Sequence, residues 1–259
     1  MSVVINTNYA SVLARKNLAE VQRQMDKSVE RLSSGKRINN AEDDAAGSAI
    51  SGRMESQIRG LTMGIRHAKD GQSLVGTSEG AMQELNKILQ RMRELAVQSA
   101  SGVASSADRN YLDLEMTQLF NEINSISNNT KFNDQRILTG ATFTFYTDSD
   151  VAGTAITTVA ASASAQNLLV SVTSVDISSV TSNTSTTGVQ AAITQIDSAL
   201  SVVDNRRAAL GAVSNRFDHI IDNLQNVVMN TVQSQSRIVD ADFSVETTNL
   251  TRNTVLQQA

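Results

Sequence analysis

The chain has 259 residues, enough for one or two domains, and a formal net charge of −4. It contains no cysteine and no proline, and aromatic residues make up only 3%. This excludes a disulfide framework and cysteine-bound metal, disfavours nucleic acid as the main partner, and leaves long helices free of the residue that lacks a backbone donor.

The first residues, Met1 to Asn8, carry no basic region followed by an apolar run, so they do not read as a general secretory signal. Leu18, Val21, Met25 and Leu32 then form a thin helical seam. Residues 1–40 hold seven Lys or Arg against three acids. This block reads either as a solvated helix face or as electrostatic registration against an acidic neighbour. Ser33-Ser34-Gly35 predicts a helix end with Gly35 left-handed. Asn39-Asn40 offers the next N-cap, with Glu42, Asp43 and Asp44 in the first turn, where the helix dipole favours acids.

A heptad seam follows at Leu74, Ser78, Ala81, Leu85, Ile88, Met92, Leu95 and Ser99. Gly60, Gly64, Gly71, Gly76 and Gly80 weaken helix propensity around its start. They predict a local turn or close helix approach. Ser101-Gly102 ends this helix, and Ser105 with Asp108 predicts a capping box that starts another. Its seam is Leu112, Met116, Leu119, Ile123 and Ile126, and Asn128-Asn129 and Gly140 mark its end and exit.

The middle, residues 141–188, holds twenty Ser or Thr in forty-eight positions. Thr142 to Tyr146 and Leu168 to Val172 have strand character. The hydroxyls fit plain β-propensity or a surface of O-glycan acceptors. The last and longest seam reads Ile193, Ile196, Leu200, Val203, Arg207, Leu210, Ser214, Phe217, Ile221, Leu224, Val228. Narrow stripes of this kind fit one or two partner helices rather than a broad core. The helical ends are therefore expected to bury little of their seams within one chain, and to pack on each other and on further copies.

Catalytic patterns are absent. His67 and His219 lie in no HExxH, and there is no GxSxG, GxxxxGK[ST] or GxGxxG. Asp218-His219 are neighbours whose side chains diverge on a helix. The chain reads as a non-enzyme without cofactor or metal. The charge-free run Val151 to Val175 is too rich in Ser, Thr, Gln and Asn to span a membrane.

Several segments resemble bacterial flagellin. These are Glu30 to Asn39 (ERLSSGKRIN), Ala41 to Ile50 (AEDDAAGSAI), Gln90 to Val97 (QRMRELAV), Ile5 to Asn8, Asp240 to Phe243, Leu250 to Arg252 and Val255 to Ala259. The resemblance covers roughly residues 1–140 and 188–259. It implies a mainly α fold of long antiparallel heptad-patterned helices forming a rod-like bundle, with a small β-containing outer insertion. The implied layout has an inner-layer helix at 1–34, a spoke at 35–46, the N-terminal part of the rod at 47–140, and a variable outer segment at 141–188. The C-terminal rod helix follows at 189–235, then a spoke and the start of an inner-layer helix at 236–259. Flagellins run several helical turns past the position matching Ala259, so the resemblance predicts poor polymerisation of a chain that ends there.

Flagellins are extracellular subunits of the flagellar filament. The resemblance thus implies a secreted, self-polymerising protein that meets hook-associated and cap proteins, leaves unfolded through the flagellar type III pathway, and uses an export chaperone. The expected assembly seam is Leu18, Met25, Leu32, Leu85, Ile88, Met92, Leu200, Val203, Phe217, Ile221 and Leu224. The resemblance also implies sensing by a host Toll-like receptor through Gln90, Arg91, Leu95 and Glu115. Leu119 stands where strongly stimulatory members carry a basic residue. Hook–filament junction proteins share the helical plan but typically carry a proline shortly after the paired acids, whereas Asp43-Asp44 leads here into Ala45-Ala46-Gly47.

Overall fold

The computed structural model describes residues 8–140, 142–147, 155–159 and 187–258. Five α-helices dominate: α1 (Tyr9–Ser34), α2 (Ala45–Ser99), α3 (Ser106–Asn129), α4 (Thr187–Val239) and α5 (Phe243–Gln258). Two small antiparallel pairs accompany them, β1 (Lys131–Phe132) with β2 (Gln135–Arg136) and β3 (Thr142–Tyr146) with β4 (Ala155–Val159). The chain divides into a terminal unit, Met1–Gly60 with Asn226–Ala259, and a central unit, Leu61–Gln225.

In the terminal unit, Asn8 caps α1 by accepting the Ser11 N–H at 3.1 Å. Gly35 closes it at φ 69°, as expected, and its N–H donates to the Arg31 carbonyl. The cap of α2 differs from expectation. Asp44, rather than the Asn pair, receives the Gly47 N–H at 2.9 Å. Asn39 and Asn40 donate their backbone N–H groups to Asp43 instead, each at 3.2 Å. The short connection is tied to the end of α4 through the Lys36–Asp240 bridge, with Arg37 N–H to Val239 O at 2.6 Å. Asp242 precedes helix α5, and its carboxylate accepts the Ser244 N–H at 2.8 Å. It runs antiparallel to α1, as the Arg31–Glu246 and Gln22–Gln257 contacts establish.

In the central unit α2 is unbroken through its glycines. A buried stripe runs through 61, 64, 68, 71, 75, 78, 82, 85, 89, 92, 96 and 99, a strict alternation of three and four steps, with 74 and 95 buried beside it. Gly64 and Gly71 belong to this stripe. A Cβ on Gly64 would lie 2.6 Å from the Thr147 carbonyl oxygen, and one on Gly71 would lie 2.6 Å from the Phe217 ring. Close approach is therefore the reason for both, and no turn occurs there. Two positions of the expected seam lie one residue off: Met82 and Leu89 are fully buried, whereas Ala81 and Ile88 are only half-buried. The buried face is also wider than a narrow stripe, because Leu74 and Leu95 are covered as well.

Helices α3 and α4 close this core with Met116, Ile123, Ile196, Val203, Leu210 and Phe217. The predicted capping box is present, with Asp108 N–H to Ser105 Oγ at 3.2 Å and Ser105 N–H to Asp108 Oδ2 at 2.9 Å. After α3 the chain makes a two-residue hairpin with Asn133 and Asp134 at φ 49° and 63°. Ile137 and Leu138 then enter the core. Strand β3 is where the sequence predicts it, but its partner is Ala155–Val159. The second predicted strand, 168–172, lies outside the described residues, as do the hydroxyls around it. Phe145 of β3 meets Phe217 edge to face, with centroids 5.9 Å apart, and His67 Nδ1 lies 3.0 Å from the Tyr146 carbonyl. The root of the hairpin is thus packed on helices.

Candidate functional site

The surfaces available for assembly follow from which seams the chain satisfies by itself. On the central helices it satisfies nearly all of them. Leu85, Met92, Val203 and Phe217 are fully buried within one chain, Ile221 and Leu224 are buried, and Ile88 and Leu200 are half-buried against the core. The expectation that the helical ends bury little of their seams fails here. Three helices share one apolar core, so each covers the others.

The flank of this core is polar and periodic. Arg93 pairs with Asp197 at 2.7 Å, Asn86 donates to Asp204 at 2.9 Å, Arg207 meets Glu79 at 3.3 Å, and Gln72 donates to Asp218 at 2.6 Å. On α2 these positions step by seven, from 93 to 72, while the α4 partners ascend. The helices are therefore antiparallel, and the polar pairs hold their register. Asp197 raises the Arg93 pKa above its ordinary value. Sequence reasoning missed this ladder because partners more than a hundred residues apart leave no local signal.

Terminal helix α1 is different. Ser28 is its one buried residue, Leu18 is 49% exposed, and Met25 and Leu32 are half-buried. Phe243 of α5 is 71% exposed, and Val12 and Val255 are also open to solvent. Here apolar side chains on two long helices remain uncovered within one chain.

The segment around Gln90 presents a charged face. Gln90 donates to Asn86 Oδ1 at 2.7 Å. Arg91 pairs with Glu115 on α3 at 2.9 Å and with Glu94 at 3.1 Å, and these carboxylates, Glu115 first, raise its pKa. Gln90, Arg91, Glu94 and Glu115 all face solvent. Leu95 is fully buried, so it supports the helix from beneath and offers no surface to a partner docking on this face. His219 is exposed and His67 holds the hairpin root. Among the described residues no group of three or more His, Cys, Asp or Glu could hold a metal, and no helix is long and apolar enough to cross a membrane.

The family model for the bacterial flagellin N-terminal helical region matches residues 5–142, and that for the C-terminal helical region matches 193–259. The flagellin of Halalkalibacterium halodurans is 40% identical over 263 aligned residues, covering 99% of this chain and 93% of that one. The chain belongs to the bacterial flagellin family. Polar flagellin F of Vibrio parahaemolyticus is 32% identical, covering 100% of this chain and 94% of its own. The crystal structure of Bacillus cereus flagellin matches with a TM-score of 0.53 at 30% identity, over 61% of this chain and 88% of that one. A putative flagellar hook-associated protein from Vibrio parahaemolyticus shares the fold, with a TM-score of 0.66, 13% identity and coverage of 76% and 100%. As a flagellin the chain is a structural subunit of the flagellar filament, not an enzyme. Its long helices and few short strands agree with that class.

Proposed function

We propose that the uncovered apolar faces of α1 and α5 are the surfaces through which this flagellin joins its filament. The observation that carries this reading is the contrast between the seams of the two units, since single apolar residues such as Val97 and Leu114 are exposed in the central unit as well. Leu18 and Phe243 stay largely exposed, while Leu85, Met92, Val203 and Phe217 are already used inside the chain. Contacts between copies that do not close into a ring build a helical polymer. Burying such side chains at roughly 25 cal/mol per Å² supplies the driving force. Val12→Asp with Leu18→Asp is expected to abolish sedimentable filaments and leave the helical spectrum of the monomer nearly unchanged. Normal filament yield from this variant would sink the reading.

Export through the flagellar type III pathway as an unfolded chain, with a chaperone on the C-terminal helices, fits a sequence without cysteine, because no crosslink opposes unfolding. The terminal unit would then order as neighbours cover it. Hook-associated and cap proteins are the expected partners at the filament's ends.

A second reading is favoured by the solvent-facing Arg91–Glu115 pair. A host Toll-like receptor would dock on Gln90, Arg91 and Glu115, with Leu95 keeping the helix in place. Arg91→Ala is expected to lower the reporter-cell response of the monomer at least tenfold, as loss of a charged contact does. A full response from Arg91→Ala, or no response from the parent chain at saturating dose, would exclude receptor recognition at this face.

A further inference from the structure

A cavity of about 230 Å³ opens between α1 and α5 in the terminal unit, and every residue that lines it is polar or charged. Lys27, Ser28 and Arg31 face it from α1, and Glu246, Arg252 and Asn253 from α5. A packed helix pair normally places apolar side chains here. The polar lining therefore calls for an occupant that satisfies it.

The donors are in excess. Ser28 and Asn253 are each only 5% exposed, and neither side chain has a hydrogen-bond partner among the described residues. The Arg31 Nε is buried and likewise unpartnered. Two of the three cations are matched by carboxylates, Lys27 by Asp43 at 2.6 Å and Arg31 by Glu246 at 2.8 Å. Arg252 has no carboxylate partner among the described residues. Lys and Arg donate only, and Ser and the Asn amide can both donate. The one acceptor-only group on the wall, Glu246, gives its Oε1 to Arg31. Water would satisfy the hydroxyl and the amide and solvate the exposed Arg252, but it would not offset the positive charge by which Lys27, Arg31 and Arg252 together exceed Asp43 and Glu246. A small oxyanion answers both needs, since guanidinium groups and amide donors suit its several oxygens.

We propose that this cavity is a binding site for a small oxyanion, of the size and charge of inorganic phosphate or sulfate, held by Arg252, Asn253 and Ser28. Because its walls come from both helices, occupancy fastens α1 to α5. By mass action the bound anion stabilises the paired state of the helices over the open one. The same chemistry has a second source in the polymer, a carboxylate side chain of another copy.

Equilibrium dialysis of radiolabelled inorganic phosphate against the intact chain, as monomer and as filament, tests this. About one saturable phosphate per chain is expected on the monomer, displaced by sulfate and not by chloride at equal ionic strength. Retention of that site in filaments identifies the free anion as its occupant there. Its loss on assembly identifies the carboxylate of a neighbouring copy. Asn253→Asp places a negative charge in the cavity with little change of shape, and Arg252→Gln removes the unmatched cation. Each is expected to weaken binding at least tenfold. Hydrogen exchange at residues 24–31 and 246–253 is expected to slow with phosphate in the parent chain alone. Two results would overturn the proposal: no saturable site on either form, which leaves a water-filled cavity, or binding that survives both substitutions, which places an adventitious ion on the surface.

Discussion

Gly71 sits where the ring of Phe217 leaves no room for a methyl group, 2.6 Å from the position a Cβ would take. Phe217 is itself fully buried and meets Phe145 edge to face, so it has nowhere to retreat. Gly76, five residues on along the same helix, faces open space. The two glycines look alike in a sequence but stand in opposite situations. Gly71→Ala is expected to destabilise the chain by about 1–3 kcal/mol through overpacking. Gly76→Ala is expected to stabilise it by up to about 1 kcal/mol, since alanine restricts the unfolded chain and favours the helix. Chemical denaturation of the two variants, monitored by helical circular dichroism, separates them. A shift of the same sign in both would refute the packing account.

Among the elements, the hairpin after α3 carries a local strain that can be relieved. Asn133 and Asp134 both have positive φ, as a two-residue turn of the primed kind requires. Asparagine tolerates that region, and glycine at the second position would tolerate it better. The Lys131–Asp134 ion pair at 3.3 Å is exposed, so its loss costs little. Asp134→Gly is expected to raise stability by about 0.5–1 kcal/mol, read as a higher denaturation midpoint. A lower midpoint would show that the ion pair outweighs the backbone. This hairpin was not legible in the sequence, because its strands are too short for an alternating pattern and the Asn-Asn before them already marked a helix end. The capping box at Ser105 and the Gly35 terminus were legible, since each depends only on residues within a turn of itself. The α2 seam was half legible. Positions 78, 85, 92 and 99 have few rivals, and at 74–75 and 95–96 both adjacent apolar residues are buried, but at 81–82 and 88–89 adjacent residues compete for the same face and only the placement of α3 and α4 decides between them. The solvent-facing Arg91 and Glu115 were legible as residues, but not as a pair bridging two helices.

At the scale of the whole molecule the two units are held by different forces, and acid should tell them apart. The central unit rests mainly on an apolar stripe running from Leu61 to Ser99, to which proton concentration is nearly indifferent, and the carboxylates of its polar flank, such as Asp197 and Glu79, are exposed, so their protonation costs little. The terminal unit instead relies on Asp43 to organise the connection between α1 and α2. Lys27 bonds to its carboxylate, and the Asn40 and Asn39 N–H groups add to this, lowering its pKa from the ordinary 3.8 to about 2. The folded pKa lies below the unfolded one, so the unfolded chain binds the proton more readily. The contribution is complete above about pH 4 and fades as pH falls through about 2. Hydrogen exchange corrected for its intrinsic pH dependence should therefore accelerate at residues 36–44 between pH 4 and pH 2, ahead of residues 82–96. Asn at position 43 keeps an oxygen for the backbone donors but loses the charge that Lys27 reads, so Asp43→Asn should show faster exchange of the same amides already at neutral pH. Equal loss of protection in both units, or an Asp43→Asn variant as protected as the parent chain at neutral pH, would mean that the Asp43 carboxylate does not hold this connection.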